Sequence, residues 1–253
     1  MTMIRALLYA ACGTLFTFLM TALGAGTVFL LGAGGERRSR EAMLGFAGGV
    51  MTAASVWSLL LPAIERAERL ALPAWLPAAA GVALGAVFLA ALDALLPCLR
   101  RQSADPLRRR NALLFTAITL HNVPEGMAVG LAFALAADGD GIAGAAALAL
   151  GIGIQNFPEG AAIALPLREM GESRTRAFLD GALSGVVEPV FGVAVVLAAA
   201  GASALMPWLL SFAAGAMLYV VTAELTPQSN TRGGVCAYMA GFLLMMALDV
   251  ALG

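Results

Sequence analysis

Eight apolar stretches, each long enough to cross the hydrocarbon core of a bilayer, dominate this chain. A spanning helix needs about 20 consecutive apolar residues. Stretches at roughly 6–31, 42–64, 74–98, 111–136, 141–167, 177–201, 203–225 and 234–252 meet that length. Short polar or Gly/Pro-marked breaks separate them, among them "GGERRSRE", "ADGDG" and "TPQSNTRGG". A segment inside lipid must satisfy its own backbone hydrogen bonds, which makes each stretch a helix. The pattern therefore predicts an all-α polytopic membrane protein with eight transmembrane helices, one transmembrane domain over residues 1–253. The first stretch follows neither a basic leader nor a small-residue cleavage site, and reads as a retained span, not a removable signal peptide.

Composition agrees: 60% of residues are hydrophobic and only 12% charged, against about half and a quarter in soluble domains. Mean hydropathy is +0.87. The net charge of −1 argues neither for nor against a nucleic-acid partner, and none is expected. Cys12, Cys98 and Cys236 are far apart and form no CxxC pair, so they read as small buried hydrophobes. The arginines are informative by position. Twelve of the 15 basic residues, all arginine, fall in the first, third, fifth and seventh loops, and only Arg5, Arg66 and Arg69 lie on the other side. The positive-inside rule makes those odd loops cytoplasmic and puts both termini outside.

Within this apolar chain, "HNVPEG" at 121–126 returns as "QNFPEG" at 155–160, in the next span. Acidic residues fall in or at the edge of the spans at Asp93, Glu125, Glu159, Glu188, Glu224 and Asp249. The three most central, Glu125, Glu159 and Glu188, would together cost on the order of 8–10 kcal/mol as unpaired anions on insertion scales. No arginine lies within spans four to six except near their ends, so a bound cation is the obvious compensation. Residues four apart share a helix face, which brings His121 to Glu125 and Gln155 to Glu159. Asn122 and Asn156 stand three residues before the same glutamates. Pro124 and Pro158 free the carbonyls of Leu120 and Ile154 and should kink both helices. Gly126 and Gly160 permit close approach, and "VVEPV" at 186–190 supplies a third Glu-Pro pair through Glu188. His121 is the chain's single histidine.

"HNVPEG", "QNFPEG", "SGVVEP" and the eight-span outline resemble the ZIP (Zrt/Irt-like) family of divalent-metal transporters over essentially the whole chain. "MTAASVWSLLLPAIE" at 51–65, "LDALLP" at 92–97, "AELTPQSN" at 223–230 and the ending "MMALDVALG" are similar to its bacterial GufA-like branch. The resemblance implies a 3+2+3 arrangement: spans one to three and six to eight as inverted repeats, four and five carrying metal between them, and an elevator-type or rocking motion. It implies metal ligands at His121, Asn122, Glu125, Gln155, Asn156, Glu159 and Glu188. Met51 is a candidate soft ligand or an apolar packing residue. Glu224 would lie on the cytoplasmic exit path and Asp249 at the outer mouth. Import toward the cytoplasm across a bacterial inner membrane also follows from the resemblance, and a homodimer is left open.

Two departures stand out. The loop between spans three and four, "RRQSADPLRRR", has no histidine where many members are His-rich, and Asn156 replaces an acidic residue found in some members. Imidazole with carboxylates and amides suits zinc, iron, manganese, cobalt or cadmium ions better than Cu⁺. The metal is substrate; no cofactor is expected. The chain has no GxxxxGK[ST] motif, so no nucleotide is expected to drive it. An intramembrane metalloprotease would want HExxH, which one histidine cannot supply. A proton-coupled carrier of another substrate, using the three glutamates as a relay, is the other alternative.

Overall fold

The computed structural model describes residues 2–30, 37–99, 106–136, 141–169, 171–199 and 203–252. Every regular element among them is helical. In chain order they are α1 (Thr2–Gly26), α2 (Arg37–Ala54), α3 (Leu61–Arg69), α4 (Trp75–Leu99), α5 (Pro106–Ala136), α6 (Ile142–Glu169), α7 (Arg174–Ser184), α8 (Val187–Ala199), α9 (Met206–Val220), α10 (Thr226–Gln228) and α11 (Arg232–Leu252). A π-turn at Ser55–Leu60 joins α2 to α3, and another at Val221–Leu225 joins α9 to α10. Each widened turn stands just before a proline, Pro62 or Pro227, where the ordinary i→i−4 ladder loses a donor.

Seven of the resulting rods are long and apolar enough to cross a membrane: Met3–Phe29, Glu41–Arg69, Trp75–Leu95, Ile142–Arg168, Arg174–Ala199, Met206–Gln228 and Arg232–Leu252. In α5 the apolar part that falls among the described residues is Asn122–Ala136. These rods make the chain a multi-pass membrane protein. Residues 31–36 and 100–105, the latter carrying Arg100 and Arg101 of the third loop, lie outside the described residues.

Two sets of helices pack closely among themselves. In one, α1 lies along α6 and against α8, while α5 lies along α8 and touches α6. In the other, α11 lies along α2 and α9 along α4. The sets meet where α6 touches α2 and α11, and where α5 touches α9. An apolar core fills that junction, with Val50 and Met51 of α2, Leu131 of α5, Leu148 and Ile152 of α6, Met217 of α9 and Met245 of α11 all enclosed. Helix α6 is the most enclosed spanning rod, whereas α4 and α11 turn most of their apolar surface outward. That outward surface is what a lipid-facing helix presents, since lipid tails are as apolar as leucine.

The prolines act differently from one another. Helices α5 and α6 run on through Pro124 and Pro158, as membrane helices can when neighbours re-satisfy the freed carbonyls. Span six, expected to be continuous over 177–201, is divided. It breaks at Gly185 and Val186, and the Glu188 amide donates to the Gly185 carbonyl at 3.0 Å. Pro189 has no amide to carry the ladder across, and a new helix begins at Val187 with Glu188 in its first turn.

Candidate metal centre

The repeated hexapeptides occupy the middle of α5 and α6, and the break before α8 brings the third glutamate to them. A Cβ on Gly126 would overlap the backbone of Glu188, so the glycine after Glu125 is what lets α5 and α8 approach. Glu188 lies in the first turn of α8, where unpaired amides and the helix dipole favour an anion.

Asn122, Glu125, Gln155, Asn156, Glu159 and Glu188 are all buried. Gln155 Nε2 donates to Glu125 Oε1 at 2.7 Å, tying α6 to α5. Asn156 Nδ2 donates to Glu188 Oε2 at 2.9 Å and to the Thr17 carbonyl at 3.3 Å, tying α6 to α8 and α1. Thr21 Oγ1 donates to Glu188 Oε1 at 3.2 Å. Glu125 stands within the electrostatic reach of both Glu159 and Glu188. Among the described residues no arginine pairs with any of the three.

The unmet hydrogen-bonding capacity is lopsided. Glu125 Oε2, Gln155 Oε1 and Asn156 Oδ1 are buried oxygens without a partner; Asn122 Nδ2 is a buried donor without one. Each unsatisfied buried group costs about 1–3 kcal/mol, more when charged. Three orphaned oxygens beside repelling carboxylates are what a cation would satisfy. Among the described residues no three His, Cys, Asp or Glu side chains converge on one point; carboxylates here alternate with amides. The side chain of His121 lies outside the described residues, and its backbone stands one helical turn before Glu125 in α5.

Cys12 and Cys236, expected to be buried, are instead exposed on the outer faces of α1 and α11, and the remaining site candidates sit elsewhere. Met51 is wholly enclosed in the apolar core between the two helix sets. Glu224 lies in the π-turn after α9, half-buried, close to Asp93 of α4 and to Tyr219. Asp249 of α11 is buried, accepts from Ser58 Oγ at 2.6 Å through Oδ1, and leaves Oδ2 unpaired. It lines a cavity of about 630 Å³ with Trp57, Ser58, Glu65, Arg66 and Arg69.

Sequence reasoning missed Thr17, Thr21 and Ser58. Thr14, Thr17 and Thr21 are all buried, at the spacing of one helix face in an otherwise apolar span. That polar stripe was visible in the sequence.

Residues 100–249 match the family model described as ZIP Zinc transporter. The chain is 36% identical to "Zinc transporter ZIP11" of Xenopus tropicalis, with 97% of this chain and 98% of that protein covered. It is 41% identical to "Zinc transporter GufA" of Myxococcus xanthus, covering 78% and 81%. It is 39% identical to "Zinc transporter ZIPB" of Bordetella bronchiseptica, covering 97% and 82%.

Proposed function

The chain belongs to the ZIP zinc-transporter family, and from that premise we propose that it carries zinc or a similar divalent ion toward the cytoplasm through a site between α5, α6 and α8. Membership sets it among transporters and not enzymes. The observation that carries the site is the set of orphaned buried oxygens on Glu125, Gln155 and Asn156. Glu125, Gln155 and Glu159, with His121 one turn before Glu125, supply charge and borderline donors to one ion. Asn156 and Glu188 stand beside them as a second, weaker position, and Asn122 joins the set at its edge. One imidazole among oxygen donors gives moderate affinity, which suits a carrier that must release what it binds.

The packing supports eight spans in a 3+2+3 order. With α5 taken as the fourth span, the first packs on the fifth and the sixth on the fourth; likewise the second packs on the eighth and the seventh on the third. Exchanging the first three spans with the last three, and the fourth with the fifth, preserves this pairing. The π-turn-then-proline of Ser55–Leu60 recurs in the matching span at Val221–Leu225. With both termini outside, Asp249 faces the outer mouth and Glu224 the cytoplasmic exit. Every proposed ligand of the central site belongs to the α1–α5–α6–α8 set, so the ion can travel with that set against the other, in a bacterial inner membrane.

Purified protein in vesicles, offered a panel of zinc, iron, manganese, cobalt and cadmium ions with and without a pH gradient, tests this. Saturable uptake of at least one ion is expected. A carrier that moves none of them, yet moves protons, would refute the proposal.

A further inference from the structure

We infer that Thr21 of α1 is a positioning residue for Glu188: its hydroxyl and the Asn156 amide hold one carboxylate oxygen each, and so keep Glu188 from turning fully onto the transported ion. The inference rests on the transport reading above for its kinetic consequences, but its geometry stands independently. Helix α1 carries none of the residues of the repeated hexapeptides, yet it frames the Glu188 pocket. Thr21 Oγ1 reaches Glu188 Oε1 at 3.2 Å and shares its proton with the Thr17 carbonyl at 3.3 Å, which also accepts from Asn156 Nδ2 at 3.3 Å. The Thr17 hydroxyl stands near the same carboxylate. Asn156 Nδ2 also reaches Glu188 Oε2 at 2.9 Å. Both Glu188 oxygens are thus engaged, whereas one Glu125 oxygen is free.

The stripe also fits the broken helix sterically. A Cβ on Gly185 would stand 3.1 Å from Thr21 Cβ and 3.2 Å from Glu188 Oε1. Gly192, two turns further on, meets Thr14. Residue 21 could therefore matter only by filling space, and its isostere separates the two roles. Valine preserves the shape of threonine and removes the donor; serine keeps the donor and loses a methyl.

A carboxylate freed from one neutral donor is a better ligand for a divalent ion. Thr21→Val should therefore lower both KM and maximal zinc uptake, each by about three- to tenfold, as the loss of one long, shared hydrogen bond predicts. Thr21→Ser should return both toward the parent values. In metal-free protein the infrared carboxyl band that disappears in Glu188→Gln should shift in Thr21→Val and not in Thr21→Ser. Parent-like kinetics and an unmoved band in Thr21→Val would overturn the assignment. So would a serine variant as impaired as the valine one. Absence of metal uptake by the parent would refute the transport reading instead, and the infrared band would still decide the role of Thr21.

Discussion

At Glu125 a carboxylate is held by one amide donor, Gln155 Nε2, with its second oxygen unmatched inside a packed membrane domain. That imbalance sets the first prediction. Glu125→Ala and Glu159→Ala should each abolish uptake while leaving the protein inserted and folded, because a vacant site tolerates a smaller neutral residue. Loss of an outer-shell partner typically lowers metal affinity about 10–100-fold, and loss of a charged ligand should exceed that. Isotopic zinc uptake alongside size-exclusion profiles checks it; a variant transporting at the parent rate removes its residue from the site. Asn156 makes a second residue-scale case. Its amide now donates a hydrogen bond to one Glu188 oxygen, which a carboxylate cannot do. Asn156→Asp should lower the thermal stability of metal-free protein by about 1–3 kcal/mol, the cost of an unmatched buried charge-bearing group. The same variant should bind more metal at saturation, since two carboxylates then face one cation. Equilibrium dialysis and thermal unfolding with and without zinc test both halves. Equal stoichiometry near two in parent and variant would contradict them.

Helices bring these groups together through a few positions where backbone approaches backbone. Gly126 is the most consequential, since a Cβ there would overlap Glu188. Gly126→Ala should push α8 from α5, destabilise the fold by about 1–3 kcal/mol as overpacking does, and weaken metal binding together with stability. An alanine variant with parent stability and parent affinity would show the approach is not required. The multi-pass helical outline and the polar side chains of the repeated hexapeptides were legible in the sequence, because a carboxylate in an apolar run stands out and helix periodicity assigns its neighbours. The break of span six was not. Proline at 189 signalled a disturbance, but the same residue at 124 and 158 leaves α5 and α6 continuous. What differs is the tertiary setting: Gly185 packs against Thr21 of α1, 164 residues away in sequence. The α1 threonines escaped for a related reason, since threonines in a membrane helix ordinarily bond back to their own carbonyls. Thr14 does so at 2.6 Å, and only packing reveals that Thr21 also reaches Glu188.

For the whole molecule, two helix sets meet at an apolar junction, and every proposed ligand of the central site lies on one side of it. Topology is the property of the whole chain that can be tested apart from transport. In a background lacking Cys12, Cys98 and Cys236, single cysteines at Ser103 and Ser203 should label from opposite faces, Ser103 only after permeabilisation. Reaction at Ser103 in intact cells would overturn the orientation drawn from the arginines. The central claim is that one divalent ion sits between α5 and α6 on the side chains of the repeated hexapeptides. Anomalous scattering at the zinc edge from crystals of the zinc-loaded protein addresses it directly. The account predicts the strongest peak beside Glu125, Gln155 and Glu159, lost in Glu125→Ala. A zinc ion found only beside Asp249 and Ser58, with none between the two hexapeptides, would contradict it.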